Sequence, residues 1–295
     1  MVDCQSGIKS INFVISFIMH VHKKIDVPVI DSFVKKFAEM YLKQRSQTQF
    51  DYQRVNQQAL FNNLGFGTDV LKQIITQNSV PIDMKREQGL QPAILNDIYR
   101  SDLGELLMTY YFEEKLPDGE RFVIPLKNIT FRERAELPGR GLDAIGYKKI
   151  SDEKVEILLG EAKVSADKKT PPPVVHTTED SIFKTHTKHK NEVPLVIKRL
   201  SDYCRRLNAK DAEILGFAII CLHHQLNDNI GITYGCTLIR DHNCVNEATD
   251  FGKMKSNETD FEPGKVHFSI LSFSNKSIDE TVDLFYKKVQ ELIAD

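Results

Sequence analysis

Ten residues, Val155 to Val164 (V-E-I-L-L-G-E-A-K-V), limit what this chain can fold into more than any other stretch. Side chains alternate along a strand, and here both faces are largely apolar: Ile157 and Leu159 on one, Leu158, Gly160 and Ala162 on the other. Such a strand belongs inside a sheet that is covered on both sides. Yet Glu161 and Lys163 fall on one face near its end, and buried charges are costly unless they are paired or bound to a metal. Upstream, R-G-L-D-A-I-G-Y (Arg140 to Tyr147) reads as a second strand across the polar turn K-K-I-S-D-E-K. With the turn centred near Asp152, Asp143 stands opposite Glu161, the two Cβ atoms roughly 5 Å apart. Two carboxylates so placed repel, and a hard divalent cation, Mg²⁺ or Mn²⁺, held by oxygen ligands resolves the conflict. Lys163, one pleat further on, is placed to hold a water nucleophile or to offset developing negative charge. The alternative is that Asp143, Glu161 and Lys163 form a structural ion-pair cluster.

The remaining composition narrows the setting. A chain of 295 residues with 41% hydrophobic and 27% charged residues has the make-up of a soluble globular protein, one large domain or two small ones. A net charge of −2 does not mark a general nucleic-acid binder, although a local basic groove is compatible with it. Cys4, Cys204, Cys221, Cys236 and Cys244 are scattered without C-x-x-C spacing, which suggests a reducing cytosol and no zinc site. The apolar run Ile11 to Val21 is too short to span a bilayer and lacks the marks of a signal peptide.

In chain order, Ile11 to His22 reads as a strand, with His20 and His22 on one face and no third metal ligand in view. Helices are expected over Asp31 to Gln44, Gln53 to Leu64 and Thr68 to Thr76. Pro81, Gly89 and Pro92 suggest a linker over Ser79 to Pro92. It divides a mostly helical packing or docking region, 1–92, from a domain over 93–295. Ser101 to Lys115 is a helix with an apolar stripe; its Glu105 either points toward the acid pair or closes a capping box with Asp102. Arg121 to Pro125 opens the sheet. The polar stretch Ser165 to Asn191 reads as a loop, a mobile lid or a phosphate-backbone contact, carrying Lys184 and Lys188 with His176, His186 and His189. Pro194 to Leu207 is an amphipathic helix with Lys198, Arg199 and Arg205 on its basic side, and Arg140 could neutralise a substrate phosphate. Ala212 to Leu222, apolar on both faces, reads as a strand beside the hairpin. Ile230 to Ile239 and Val266 to Phe273 follow as strands, with a polar loop from Asp241 to Lys265 between them. Ser277 to Ile293 closes the chain as a helix, capped by Ser277 and Glu280.

The order helix, three strands, helix, strand, with Asp143 and then E-A-K across a hairpin, resembles the PD-(D/E)XK nucleases. More specifically, R-S-D-L-G-E-L-L, G-R-G-L-D and L-G-E-A-K, over roughly residues 95–225, resemble the HamA family, nuclease subunits of the Hachiman anti-phage defence system. No proline directly precedes Asp143; Pro138 lies upstream, a departure from the superfamily pattern. The resemblance implies an α/β, restriction-endonuclease-like core with a central mixed sheet flanked by helices. It implies Mg²⁺-dependent (or Mn²⁺-dependent) cleavage of DNA, with the ion held by Asp143, Glu161, the Ala162 carbonyl and, directly or through water, Glu105. It also implies a helicase partner, HamB-like and of superfamily 2, that restrains and activates the cut. Two other readings stay open: a stand-alone restriction-like endonuclease, or a catalytically silent subunit that binds DNA or a partner.

Overall fold

The β-branched and aliphatic runs on either side of the K-K-I-S-D-E-K turn pair as the alternation requires. In the computed structural model, which describes residues 19–46, 63, 65, 67–81, 96–130, 141–204 and 207–294, they form the centre of a six-stranded sheet. The strands are β1 (Val21–Val27), β2 (Val123–Lys127), β3 (Ala144–Lys149), β4 (Val155–Ser165), β5 (Ile230–Asp241) and β6 (Lys265–Phe273). Their spatial order is β1-β6-β5-β4-β3-β2. The β2–β3 and β3–β4 pairs are antiparallel, whereas the β4–β5, β5–β6 and β6–β1 pairs are parallel. This is a mixed sheet of an α/β protein.

Helices cover both faces, as the two-sided apolar pattern of β4 demands. One layer consists of α1 (Asp31–Arg45), α3 (Asn96–Tyr110) and α9 (Ile278–Ala294), with α2 (Thr68–Ser79) beside them. Phe37, Tyr41, Leu103, Leu106, Val282 and Phe285 of this layer pack with Ile239, Leu271 and Phe273 of the sheet. The other layer is α4 (Pro173–His176), α5 (Ile182–Asn191), α6 (Val193–Cys204) and α7 (Ala209–His224), with α8 (Lys253–Ser256) beside it. Val175, Ile182, Val196, Leu200 and Leu215 there meet Ile145, Ile157, Leu159, Tyr234 and Cys236. Among the described residues no helix is long and apolar enough to cross a membrane.

Three expectations fail. Ala212 to Leu222 is not a strand but most of α7, because a short run apolar on all sides does not distinguish a buried strand from a buried helix. The deciding signal is the start: the Asn208 side chain accepts the Asp211 N–H at 3.0 Å, an N-cap that sets the helix going. The last strand of the expected order is therefore β5. The second failure is the long polar loop: residues 173–191 form α4 and α5, which place Val175, Ile182 and His186 in the core. The stretch is therefore not one continuous loop. Third, the chain is already helical at Asn96, so Asp102 and Glu105 lie inside α3, 0% and 2% exposed, and cannot be a capping box. By contrast, the Ser277–Glu280 box is present: the Ser277 N–H donates to Glu280 Oε2 at 2.7 Å and the Glu280 N–H to Ser277 Oγ at 3.2 Å.

The boundary expected at residue 92 falls outside the described residues. On either side of it, β1 pairs with β6 along seven register positions and α1 packs on α9, so residues 21–45 share one sheet and one core with the rest. The predicted strand Ile11 to His22 lies mostly outside the described residues, as does the helix Gln53 to Leu64. The strand that is described starts at Val21.

Candidate active site

The β3–β4 register decides whether the two acids meet. Ala144 pairs with Gly160 and the ladder continues outward, with the Asp143 N–H donating to the Gly160 carbonyl at 3.0 Å. Asp143 and Glu161 are thus opposite one another at the end of the hairpin. The Ala162 N–H donates to Asp143 Oδ2 at 2.7 Å, which fixes that carboxylate across the strand pair. Lys163 Nζ reaches Glu161 Oε1 at 3.1 Å. On the far side of β4, Glu161 is in register with Cys236 of β5.

Burial sharpens the electrostatics. The Glu161 side chain is 5% exposed and its Oε2 has no hydrogen-bond partner. Desolvation, then the charge of Asp143, push the Glu161 carboxyl well above the usual carboxylate range, against the opposing pull of Lys163; Glu105 adds a smaller push. Burial alone would lower the Lys163 ammonium, but Glu161, Asp143 and Asp180 outweigh it and raise its pKa, so it stays charged.

Glu105 arrives differently. Gly104 brings α3 close to β4: a Cβ there would stand 2.8 Å from Val164 Cγ2 and 3.8 Å from the Ala162 Cβ. Those even-numbered residues lie on the face opposite to Glu161 and Lys163. Glu105 therefore comes from the helix behind the sheet and reaches the pair through its charge. Among the described residues no group of three or more His, Cys, Asp or Glu side chains is arranged to hold a metal ion. The donors that are together are Asp143 and Glu161, oxygen ligands of which Glu161 Oε2 is buried and without a hydrogen-bond partner. That chemistry fits a hard cation.

The expected phosphate contacts divide. Arg199 of α6 lies against the backbone of Gly141, two residues before Asp143: Gly141 has φ +87°, and a Cβ there would fall 1.7 Å from the guanidinium carbon. Lys198 is exposed and pairs with Asp202 one helical turn on. Lys184 pairs with Glu179 at 2.6 Å, and Lys188 is exposed on the same helix. Arg140 and Arg205 lie outside the described residues. Sequence reasoning missed Asp180, whose Oδ2 stands 3.3 Å from Lys163 Nζ. It also missed Arg240, fully buried at the end of β5. This side chain donates to the carbonyls of Ser165 (3.1 Å), Lys169 (3.2 Å) and Cys244 (2.7 Å), to that of Asp167, and toward Asp250 (3.4 Å). That clamp ties the exit of β4 to the exit of β5.

Fold and site together define an α/β protein whose mixed sheet presents an acid pair and a charged lysine at the end of its central hairpin. The HamA family model matches residues 15–289, nearly the whole chain, and the chain belongs to that family. Membership makes it a component of Hachiman defence. No curated protein and no solved structure matches it.

Proposed function

We propose that this chain is a metal-dependent nuclease of the PD-(D/E)XK type, hydrolysing DNA phosphodiester bonds as the effector of a Hachiman complex whose helicase partner restrains and activates it. The observation that carries the reading is the register that opposes Asp143 to Glu161, with Lys163 bonded to Glu161.

Asp143, Glu161 and the Ala162 carbonyl would hold Mg²⁺ or Mn²⁺, with Glu105 acting through its charge or a water. A bound ion of this kind supplies Lewis acidity and a water of lowered pKa. The chain's own residues do the rest. Asp143 is held in one orientation by the Ala162 N–H, so its carboxylate needs no reorganisation as substrate arrives. Lys163 stays protonated and therefore does not take the proton of the attacking water. It donates hydrogen bonds, orients that water and offsets the negative charge that develops on the phosphate oxygens. Arg199, which lies against Gly141, would meet a neighbouring phosphate.

The test is Glu161→Ala with Lys163→Ala in the assembled complex. DNA cleavage should vanish while the subunit keeps its circular dichroism spectrum and its partner. Full cleavage by the double variant removes these residues from the mechanism. Calorimetric titration with Mn²⁺ separates the silent-subunit reading, which expects no binding dependent on Asp143.

A further inference from the structure

Lys163 has an acid on each side. Glu161 Oε1 lies 3.1 Å from its Nζ and is almost wholly buried, whereas Asp180 Oδ2 lies 3.3 Å away on a side chain that is 79% exposed. Asp180 comes from the turn between α4 and α5, and that turn is anchored. Val175 before it and Ser181 and Ile182 after it are each fully buried, and the Ser181 N–H donates to the Thr178 carbonyl at 3.1 Å. The carboxylate is therefore presented to Lys163 from the solvent side by a fixed piece of backbone. The side chain itself is exposed to solvent, held by the ion pair to Lys163 and by hydrogen bonds to Thr178 and to its own backbone.

A substrate phosphate that is to meet Lys163 must come from that same side, since the sheet closes the other. Asp180 carries the charge of a phosphodiester and makes the kind of contact a phosphate oxygen would make. We propose that Asp180 is a built-in stand-in for the substrate phosphate, which a nucleic-acid backbone has to displace from Lys163 before the site can be occupied. The proposal rests on the nuclease reading and adds a specificity device to it. With Asp180 already on the solvent side of Lys163, a weakly held polyanion gains little by displacing it. A backbone delivered and held by further contacts, as a partner that feeds DNA would provide, can expel Asp180. Asp180 is in this sense a positioning residue, acting through Lys163 and not on the reacting atoms.

The experiment compares full-length wild type, Asp180→Asn, Lys163→Met and the double variant. Binding of a short fluorescein-labelled DNA duplex is followed by anisotropy, with Ca²⁺ in place of Mg²⁺. Freeing Lys163 from its exposed ion pair with Asp180 should tighten binding about 2- to 5-fold. In the Lys163→Met background the same change should have no such effect. In the assembled complex with Mg²⁺, Asp180→Asn should lower KM by a similar factor and leave kcat within about twofold, the mark of relieved ground-state competition. Unchanged or weaker binding by Asp180→Asn overturns the proposal, as does equal tightening with and without Lys163, which would make Asp180 an ordinary surface charge. Because binding is read without cleavage, an inactive enzyme would count against the nuclease reading and leave the anisotropy result to decide on Asp180.

Discussion

Replacing Gly104 by alanine tests how the helix behind the sheet is seated. The added methyl would stand 2.8 Å from Val164 Cγ2, roughly an ångström inside ordinary contact, and 3.6 Å from Ile239 Cδ1, which is comfortable. Overpacking of this kind costs about 1–3 kcal/mol, and the better helix propensity of alanine returns about 1 kcal/mol. Gly104→Ala should therefore lose about 0–2 kcal/mol. Val164→Ala alone removes two half-buried methyl groups and should lose about 1–1.5 kcal/mol. Together the clash is gone, so the double variant should be more stable than the sum of the singles by about 1–3 kcal/mol. The assay is urea denaturation of all four proteins, followed by DNA cleavage in the complex. A shifted α3 carries Glu105 with it, so Gly104→Ala should cleave more slowly and the double variant should recover. Additivity within about 0.5 kcal/mol, or full activity in Gly104→Ala, would falsify the claim that this close approach seats the helix.

Three further outcomes follow from named groups. Arg240→Met strands a buried Asp250 and removes the donor for four carbonyls, and should destabilise the fold by about 3–5 kcal/mol in thermal denaturation; a loss below about 1 kcal/mol would dismiss the clamp. His186, fully buried, has its pKa pushed down to about 3 by desolvation and then by His189, so below the ordinary histidine pKa the unfolded chain binds a proton that the native chain does not. Stability should consequently fall with pH between about 6 and 4, and His186→Leu should flatten that slope by about 1.4 kcal/mol per pH unit in denaturant titrations; an unaltered slope contradicts the assignment. Gly235→Ala, whose Cβ would meet Leu158 Cδ1 at 2.5 Å and Phe112 at 3.0 Å, should lower the thermal midpoint by several degrees, and an unchanged midpoint would show that this part of the sheet is loosely packed.

The central hairpin was legible because register is arithmetic about a turn: with Asp152 at the centre, Asp143 had to face Glu161. The capping of α9 was legible for a similar reason, as Ser277 and Glu280 act within one turn. Ala212 to Leu222 was not, since eleven mostly apolar residues fit either period and the deciding cap, Asn208, lay outside the run. Asp102 and Glu105 misled because S-D-L-G-E imitates a helix start, whereas the chain is already helical at Asn96. Arg240 left no mark in the pattern: its partners are mostly carbonyls that sequence does not display. Asp180 was hidden among polar residues that alternation leaves unresolved. The pairing of β1 with β6 joins positions 246 residues apart, beyond the reach of any local signal.

That last pairing bears on how the protein is made. β1 leaves the ribosome long before β6, its described neighbour in the sheet, and α1 waits likewise for α9. Contacts so far apart along the chain form slowly. A nascent chain halted before β6 would expose an unpaired strand and an uncovered apolar helix face, both of them handles for chaperones and proteases. Fragments of the subunit are thereby marked for removal before they can accumulate.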